Sequence, residues 1–178
     1  ALRKDAMLAA TRIMQDVVAA AHRHPPHGRG TVGMVQVFPN SRNVIPGRVK
    51  FSIDLRNSTD ELVDAMAAEV KAFADQVAKE HGVQVHIEMV SSYPAQLFQP
   101  ECVEAVGRAA AKLGYSHMPA VSGAGHDAVY MAKLAPSGMI FIPCKDGISH
   151  NEIEDAKPEH IEAGCNVLLH AMLERAGT

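Results

Sequence analysis

The sequence predicts a mixed α/β protein in two parts: a two-layer α+β module of roughly ninety residues, then a segment of α/β character. Three observations predict it. Val49, Phe51, Ile53 and Leu55 alternate with Lys50, Ser52, Asp54 and Arg56, the two-residue period of a strand with one buried face. Apolar residues at three- and four-residue steps precede and follow that strand, as amphipathic helices require. Farther on, Met139-Ile140-Phe141-Ile142 is apolar without a break, as in a strand covered on both faces of a sheet.

The elements follow in order. Residues 3–21 read as a helix, with Ala6, Ala9, Ile13, Val17 and Ala20 on one stripe and Pro25-Pro26 with Gly28 ending it. Thr31 to Phe38 is a strand closed by Pro39-Asn40-Ser41, and the alternating run after it is a second. Ser58-Thr59-Asp60-Glu61 is a capping box that opens a helix with Leu62, Met66, Val70, Phe73 and Val77 inward, closed by Gly82. Val83, Val85, Ile87 and Met89 alternate as a third strand. In the second part, Pro100 starts a helix with Val103, Val106, Ala110 and Leu113 inside and Gly114 at its end. The loop 122–127 leads into a short helix reaching about Lys133. After the apolar strand, Pro158 sits in the first turn of a last helix, whose inward stripe is Ile161, Cys165, Leu168, Leu169 and Met172. Residues from about 97 to 178 hold too few strands to close an α/β sheet alone.

Composition narrows the functional classes. The chain has 178 residues, 47% apolar and 21% charged, with 17 basic against 20 acidic side chains. That balance describes a globular chain, neither disordered nor membrane-embedded, and no apolar run approaches the ~18 residues of a bilayer span. Charges are dispersed with a net of -3, so no nucleic-acid footprint is expected. Cys102, Cys144 and Cys165 form an odd, widely spaced set that suits a reducing cytoplasm better than a disulfide scaffold. The chain opens at Ala1-Leu2-Arg3 without an initiator Met or a signal-peptide core, and reads as a piece of something longer.

Several residues can carry chemistry. His150 follows the buried strand and Gly147, with Asn151, Glu152 and Glu154 beside it. A neutral imidazole there suits a metal or a general base, or simply bonds to backbone. Gly123, Gly125 and His126-Asp127 form a glycine-rich turn at a helix start that can present N–H groups to an oxyanion, or only turn the chain. Arg56 is a surface arginine or a bidentate clamp for a substrate carboxylate. Asn43, before Val44-Ile45-Pro46-Gly47, forms a turn or a contact. The tract His22-Arg23-His24-Pro25-Pro26-His27 lies in a turn with no carboxylate or Cys to complete a metal shell, and reads as a solvated loop. Cys102 and Cys165 sit on helix stripes as core residues. Cys144 adjoins the candidate loop and is a nucleophile only if a partner reaches it.

Together these segments resemble a known family. Gly30-Thr31-Val32-Gly33, Pro39-Asn40-Ser41-Arg42-Asn43-Val44-Ile45-Pro46-Gly47 and Asp54-Leu55-Arg56 look like the lid domain of the zinc-dependent amidohydrolases: N-carbamoyl-L-amino-acid hydrolases, β-ureidopropionases and allantoate amidohydrolases. These are related to aminoacylase and the dinuclear zinc exopeptidases. Ser122-Gly123-Ala124-Gly125-His126-Asp127-Ala128 and Gly147-Ile148-Ser149-His150-Asn151 look like two active-site loops of that family's catalytic domain. The resemblance covers essentially the whole chain. It implies a lid and dimerisation domain over 1–96 lacking its first strand, then over 97–178 the C-terminal part of a three-layer α/β zinc-peptidase-like domain.

The resemblance also implies roles. His150 is a metal ligand; Asn43 and Arg56 reach the substrate, Arg56 on its carboxylate; Gly125 and His126 line the substrate site. The general base and the other metal ligands are expected upstream of Ala1, leaving no catalytic residue in this chain and making 178 residues alone inactive. The implied parent holds two Zn²⁺, or Mn²⁺, Co²⁺ or Ni²⁺, and forms a homodimer through the lid. It hydrolyses the ureido C–N bond of N-carbamoyl-L-amino acids. Allantoate, an N-acyl amino acid or a peptide is the alternative substrate, and a dimerisation and substrate-binding module without chemistry is the alternative of another class.

Overall fold

The structure, a computed structural model, describes residues 3–177 and has mixed α/β architecture. The chain divides into two compact units, Ala1–Ala95 and Gln96–Thr178.

In the first unit, helix α1 (Ala6–Arg23) is capped by Asp5, whose carboxylate accepts from the N–H groups of Met7 and Leu8, satisfying two donors the first turn leaves open. Strands β1 (Arg29–Thr31), β2 (Val35–Phe38), β3 (Arg48–Phe51) and β4 (Asp54–Arg56) form two antiparallel ladders, β1 with β4 and β2 with β3. Thr31 pairs with Asp54 and Val35 with Phe51, so Val32-Gly33-Met34 face only Ser52-Ile53. That extra residue is a bulge in one long hairpin, and Ser52 bridges it: its N–H donates to the Met34 carbonyl and its Oγ accepts from the Met34 N–H, both at 3.1 Å. The alternation of residues 49–56 survives across the break, with Val49, Phe51, Ile53 and Leu55 half-buried.

Helix α2 (Asp60–His81) begins at Thr59, whose hydroxyl accepts from the Leu62 N–H, and ends at Gly82 with φ of 61°, the left-handed geometry that favours glycine. The cap is therefore Thr59, one residue later than a box on Ser58 implies. Met66, Val70, Ala74 and Val77 are buried, while Leu62 is exposed. The core has two clusters: Ala9, Ile13, Ala74 and Val77 with Phe51 and Phe73, and Val17, Ala20 and Val70 with Val32, Ile53 and Leu55. Two layers result, helices α1 and α2 on the hairpin.

Residues 83–89 make no ladder, contrary to the third strand their alternation predicts. Val83 and Val85 pack on the first cluster, while Ile87 and Met89 are exposed. Alternation reports a surface half-covered by neighbours, and a helix edge covers one as well as a strand does.

In the second unit, α3 (Pro100–Lys112) packs on α5 (Pro158–Ala176) through Ala109, Ala110, Val167 and Ala171. A single turn of helix, α4 (Ala128–Met131), follows the glycine-rich loop. Residues 139–142 form no strand, and Phe141 and Ile142 are exposed. The apolar stripe expected of α5 is also displaced. Val167 and Ala171 are buried, whereas Ile161, Cys165, Leu168, Leu169 and Met172 are exposed. Helix α5 is apolar on two faces and, among the described residues, only the face toward α3 is covered.

Candidate functional site

Three pieces carry the residues with chemistry. The first is the hairpin. Arg56 ends β4 on its exposed side, and its guanidinium forks onto Asp54, with Nε 2.7 Å from Oδ1 and Nη2 3.0 Å from Oδ2. The bonded guanidinium holds the Asp54 carboxyl below its usual range, and Asp54 in turn raises Arg56. The register places Arg29 opposite Arg56, a like-charge pair that is unfavourable unless each cation is occupied. Both are: Arg29 donates to the carbonyls of Pro26 and Gly28.

At the far end of the hairpin, Asn43 lies in the loop between β2 and β3. Ser41 Oγ donates to its Oδ1 at 3.1 Å, and the side chain is exposed. The loop is pinned at both ends, by the Gly47 N–H on the Phe38 carbonyl at 3.1 Å and by the Ala6 N–H on the Pro46 carbonyl at 3.2 Å. Between loop and α1 lies an open groove of about 540 Å³, lined by Arg3, Asp5, Leu8, Arg42, Asn43 and Val44 among others. Arg56 does not line it. Position 42 carries a cation that spacing arguments pass over, because an exposed loop arginine has no periodic signature. Its signal is local: no acidic residue occurs between Asp16 and Asp54.

The second piece is the glycine-rich loop. Ser122 Oγ lies 2.8 Å from His126 Nε2 and accepts from the Ala124 N–H at 3.1 Å. The His126 ring meets Phe141 edge-on, with centroids 5.5 Å apart. Gly125 is exposed to empty space on its Cβ side. These contacts fix the imidazole plane while the glycines leave room in front of it.

The third piece is the loop 145–154, a 3₁₀ turn over Lys145–Gly147 followed by bends. Asp146, Gly147 and His150 all have positive φ, of 55°, 69° and 57°. For a non-glycine residue this conformation costs about 1–2 kcal/mol, and such strain gathers where a side chain must be aimed. The loop is braced by the His150 N–H on Glu154 Oε2 at 2.9 Å and the Ile153 N–H on Asn151 Oδ1 at 3.2 Å. These bonds use the backbone of His150 and leave its exposed ring without a hydrogen-bond partner among the described residues.

The histidine tract at the end of α1 differs from the solvated loop its sequence suggests, since His22 and Arg23 form the last turn of the helix. His24 is largely buried, and its Nε2 lies 2.8 Å from Glu69 Oε1 on α2. Arg23 joins it, bonding Glu69 Oε2 at 3.0 Å and Asp16 Oδ1 at 3.1 Å. The carboxylate that the tract lacks in sequence arrives from the other helix, and the network ties α1 to α2. Cys102, Cys144 and Cys165 are all free thiols, the first two half-buried and the third exposed.

A metal is implied by the resemblance, so the donor set has to be tested. Among the described residues, no three His, Cys, Asp or Glu side chains converge into a group able to hold an ion. A catalytic zinc takes three or more protein ligands. The residues present therefore do not fit a metal by themselves, and no step below is routed through one. No helix among the described residues is long and apolar enough to cross a membrane.

Comparison with known proteins adds the context. The model of the peptidase family M20/M25/M40 matches residues 5–174. The chain is 46% identical over 175 residues to an N-carbamoyl-L-amino-acid amidohydrolase of Rhizobium meliloti, covering 98% of this chain and 42% of that protein. It is 29% identical over 174 residues to the allantoate amidohydrolase of Bacillus subtilis (strain 168), again covering 98% and 42%. The crystal structure of an amidase of the hydantoinase/carbamoylase family from Burkholderia multivorans superposes with a TM-score of 0.93 at 52% identity, covering 98% of this chain and 42% of the other. The chain thus spans about 42% of the length of these relatives.

Proposed function

Since this chain belongs to the peptidase family M20/M25/M40, a family of hydrolases that includes amidohydrolases, we propose that it is the lid and the C-terminal part of the catalytic domain of an enzyme that hydrolyses N-carbamoyl-L-amino acids. The reaction adds one water across the ureido group and releases the L-amino acid, carbon dioxide and ammonia. The observation that supports the reading is a chain 46% identical to a carbamoyl amidohydrolase, carrying a planar Arg56 fork at one end of its hairpin.

Each residue has a part. Arg56 takes the substrate carboxylate in place of one arm of Asp54, since a guanidinium fork matches a carboxylate edge-on. Asn43 donates its NH₂ to a substrate oxygen and helps to orient the ureido group. Gly125 and His126 line the substrate site, with open space on the Cβ side of the glycine and Ser122 holding the ring. Together with ligands from outside this chain, His150 would hold one position on a divalent ion, Zn²⁺ or else Mn²⁺, Co²⁺ or Ni²⁺, whose chemistry would be to activate water. The other ligands and the general base are supplied by the part of the relatives' length that this chain does not span. The 178 residues alone are inactive. Residues 1–96 form a lid that closes over the site and pairs two protomers in a homodimer. A reducing cytoplasm suits the three free thiols.

The test is ammonia release from N-carbamoyl-L-amino acids, allantoate and N-acetyl-L-amino acids, using the full-length parent with Zn²⁺ or Mn²⁺ supplied. Ammonia from the carbamoyl compounds, abolished by His150→Ala together with the bound metal, supports the reaction and the ligand. Ammonia from allantoate alone moves the substrate to the one named by the Bacillus relative. Silence from a folded, metal-loaded parent overturns the hydrolytic reading in favour of a binding module.

A further inference from the structure

The glycine-rich loop holds a hydroxyl with one proton and three contacts. Ser122 Oγ accepts from the Ala124 N–H at 3.1 Å, donates to the Ala124 carbonyl at 3.2 Å, and lies 2.8 Å from His126 Nε2. A serine hydroxyl has one donor and two acceptor sites. The Ala124 carbonyl can only accept, so it takes the hydroxyl proton, and the Ala124 N–H fills one lone pair. The remaining lone pair meets His126. That contact closes only if Nε2 carries a proton and donates it. With the hydroxyl donating to Nε2 instead, the Ala124 carbonyl would face a serine oxygen with no hydrogen between them.

The ring's other surroundings leave its second nitrogen open. Phe141 meets the imidazole at an interplanar angle of 66° with centroids 5.5 Å apart, an edge contact that holds the ring plane without choosing between the nitrogens. His126 is half-buried, yet its Nδ1 has no hydrogen-bond partner among the described residues and is not sealed from solvent. Beyond the chain neighbours, no atom lies within 4 Å of where a Cβ would stand on Gly123 or Gly125.

We infer that Ser122 is a positioning residue: by accepting from Nε2–H it fixes the neutral His126 ring in that tautomer and leaves Nδ1 as a bare acceptor. The inference rests on the proposed function, in which His126 lines the substrate site. An acceptor there favours a ligand that presents an N–H, and a ureido group presents one on each of its nitrogens. An ester oxygen or an oxyanion offers that nitrogen no donor. Ser122 itself does not touch the substrate; it acts through the ring.

The experiment records long-range ¹H–¹⁵N correlations of the imidazoles in the ¹⁵N-histidine-labelled chain at about pH 8.5, where an ordinary imidazole is neutral. His126 is assigned by the signal lost in His126→Gln, and the exposed ring of His150 serves as the unpartnered reference. The expected result is a His126 wholly protonated on Nε2, while His150 averages between its two tautomers. Ser122→Ala should move the His126 shifts to the His150 average, and Ser122→Thr, which keeps a hydroxyl, should hold them. A His126 protonated on Nδ1 overturns the inference, because Ser122 would then be the donor. So does a His126 that already matches His150, and so do unchanged ring shifts in Ser122→Ala, which would assign the tautomer to Phe141. In the full-length parent, Ser122→Ala should lower kcat/KM on N-carbamoyl-L-alanine about 3–10-fold, the worth of one hydrogen bond, and Ser122→Thr should stay within about twofold. No loss in the alanine variant, or a loss that the threonine variant shares, overturns the role. The two readings fail separately. The tautomer signature with no ammonia from the parent keeps the positioning role and sinks the reaction, whereas ammonia from a parent whose His126 averages like His150 does the reverse.

Discussion

At Arg56 the fork that would grip a substrate is already closed on Asp54, with both side chains about half exposed, 50% and 51%. An exposed pair contributes little to stability, so the geometry serves to hold the guanidinium flat and aimed. Replacing Arg56 by Gln in the full-length parent should therefore lower kcat/KM by roughly 10–100-fold, mostly through KM, with little change in thermal unfolding. An unchanged kcat/KM removes the clamp role. His150 poses the complementary case, an imidazole held at a φ of 57°. His150→Gly should be more stable than His150→Ala by about 1 kcal/mol in urea unfolding, because only glycine accepts that backbone freely. Equal stabilities would show that the loop relaxes. Asn43 and His150 are legible in the sequence as polar side chains in turn-forming stretches, and Arg56 as the polar face of an alternating strand. Arg42 and the Glu69 partner of His24 are not, because both depend on which distant residues the fold brings near.

Among the elements, α1 and β1 meet more closely than side chains allow. A Cβ on Gly30 would fall 2.3 Å from the Val17 carbonyl oxygen. The obstacle is helix backbone, which cannot rotate away. Gly30→Ala should separate α1 from the hairpin and cost at least about 2 kcal/mol in urea unfolding, in the range of core overpacking. A cost below 1 kcal/mol would mean the helix shifts freely. A second contrast lies within α5: Val167 is 5% exposed and Leu169 is 54% exposed. Val167→Asp should unfold the second unit of this chain, whereas Leu169→Asp should stay within about 0.5 kcal/mol. Reversal of that order would restore the stripe read from the sequence. That stripe illustrates what is legible. The period of α5 was readable, as were the breaks that end α2 and α3, since these are local; α1 runs over Ala6–Arg23 and not 3–21, because Asp5 caps it. Which of its two apolar faces is covered was not, because periodicity records that a face is apolar and is silent on what lies against it. Residues 83–89 and 139–142 fail for the same reason: their apolar patterns describe burial that a ladder does not provide.

For the whole molecule, charge is distributed unevenly between the two units, and acid should reveal it. Hydrogen bonds from Arg3 and from backbone N–H groups hold Asp5 below the usual carboxylate range, and Arg56 does the same for Asp54. Backbone and Thr59 bonds lower Glu61, His24 and Arg23 lower Glu69, and Gln76 and Arg12 lower Glu80. All five belong to the first unit. In the second unit, Glu174 is lowered by Arg108. A carboxyl lowered on folding binds fewer protons in the folded state than in the unfolded one. Its stabilisation is therefore complete above the unfolded pKa of about 4 and is lost as pH falls through the folded value. The first unit has more of these groups, and two of them, Glu69 and Glu80, join α1 to α2 through Arg23, His24 and Arg12. Acidification below about pH 4 should then open residues 1–95 before residues 96–178. Amide hydrogen exchange as a function of pH, corrected for intrinsic rates, measures this directly. Protection of α1 and α2 should fall first, while the amides between α3 and α5 hold to lower pH. Simultaneous loss would show that the two units unfold as one, and earlier loss in the second would assign acid stability to packing and not to these ion pairs.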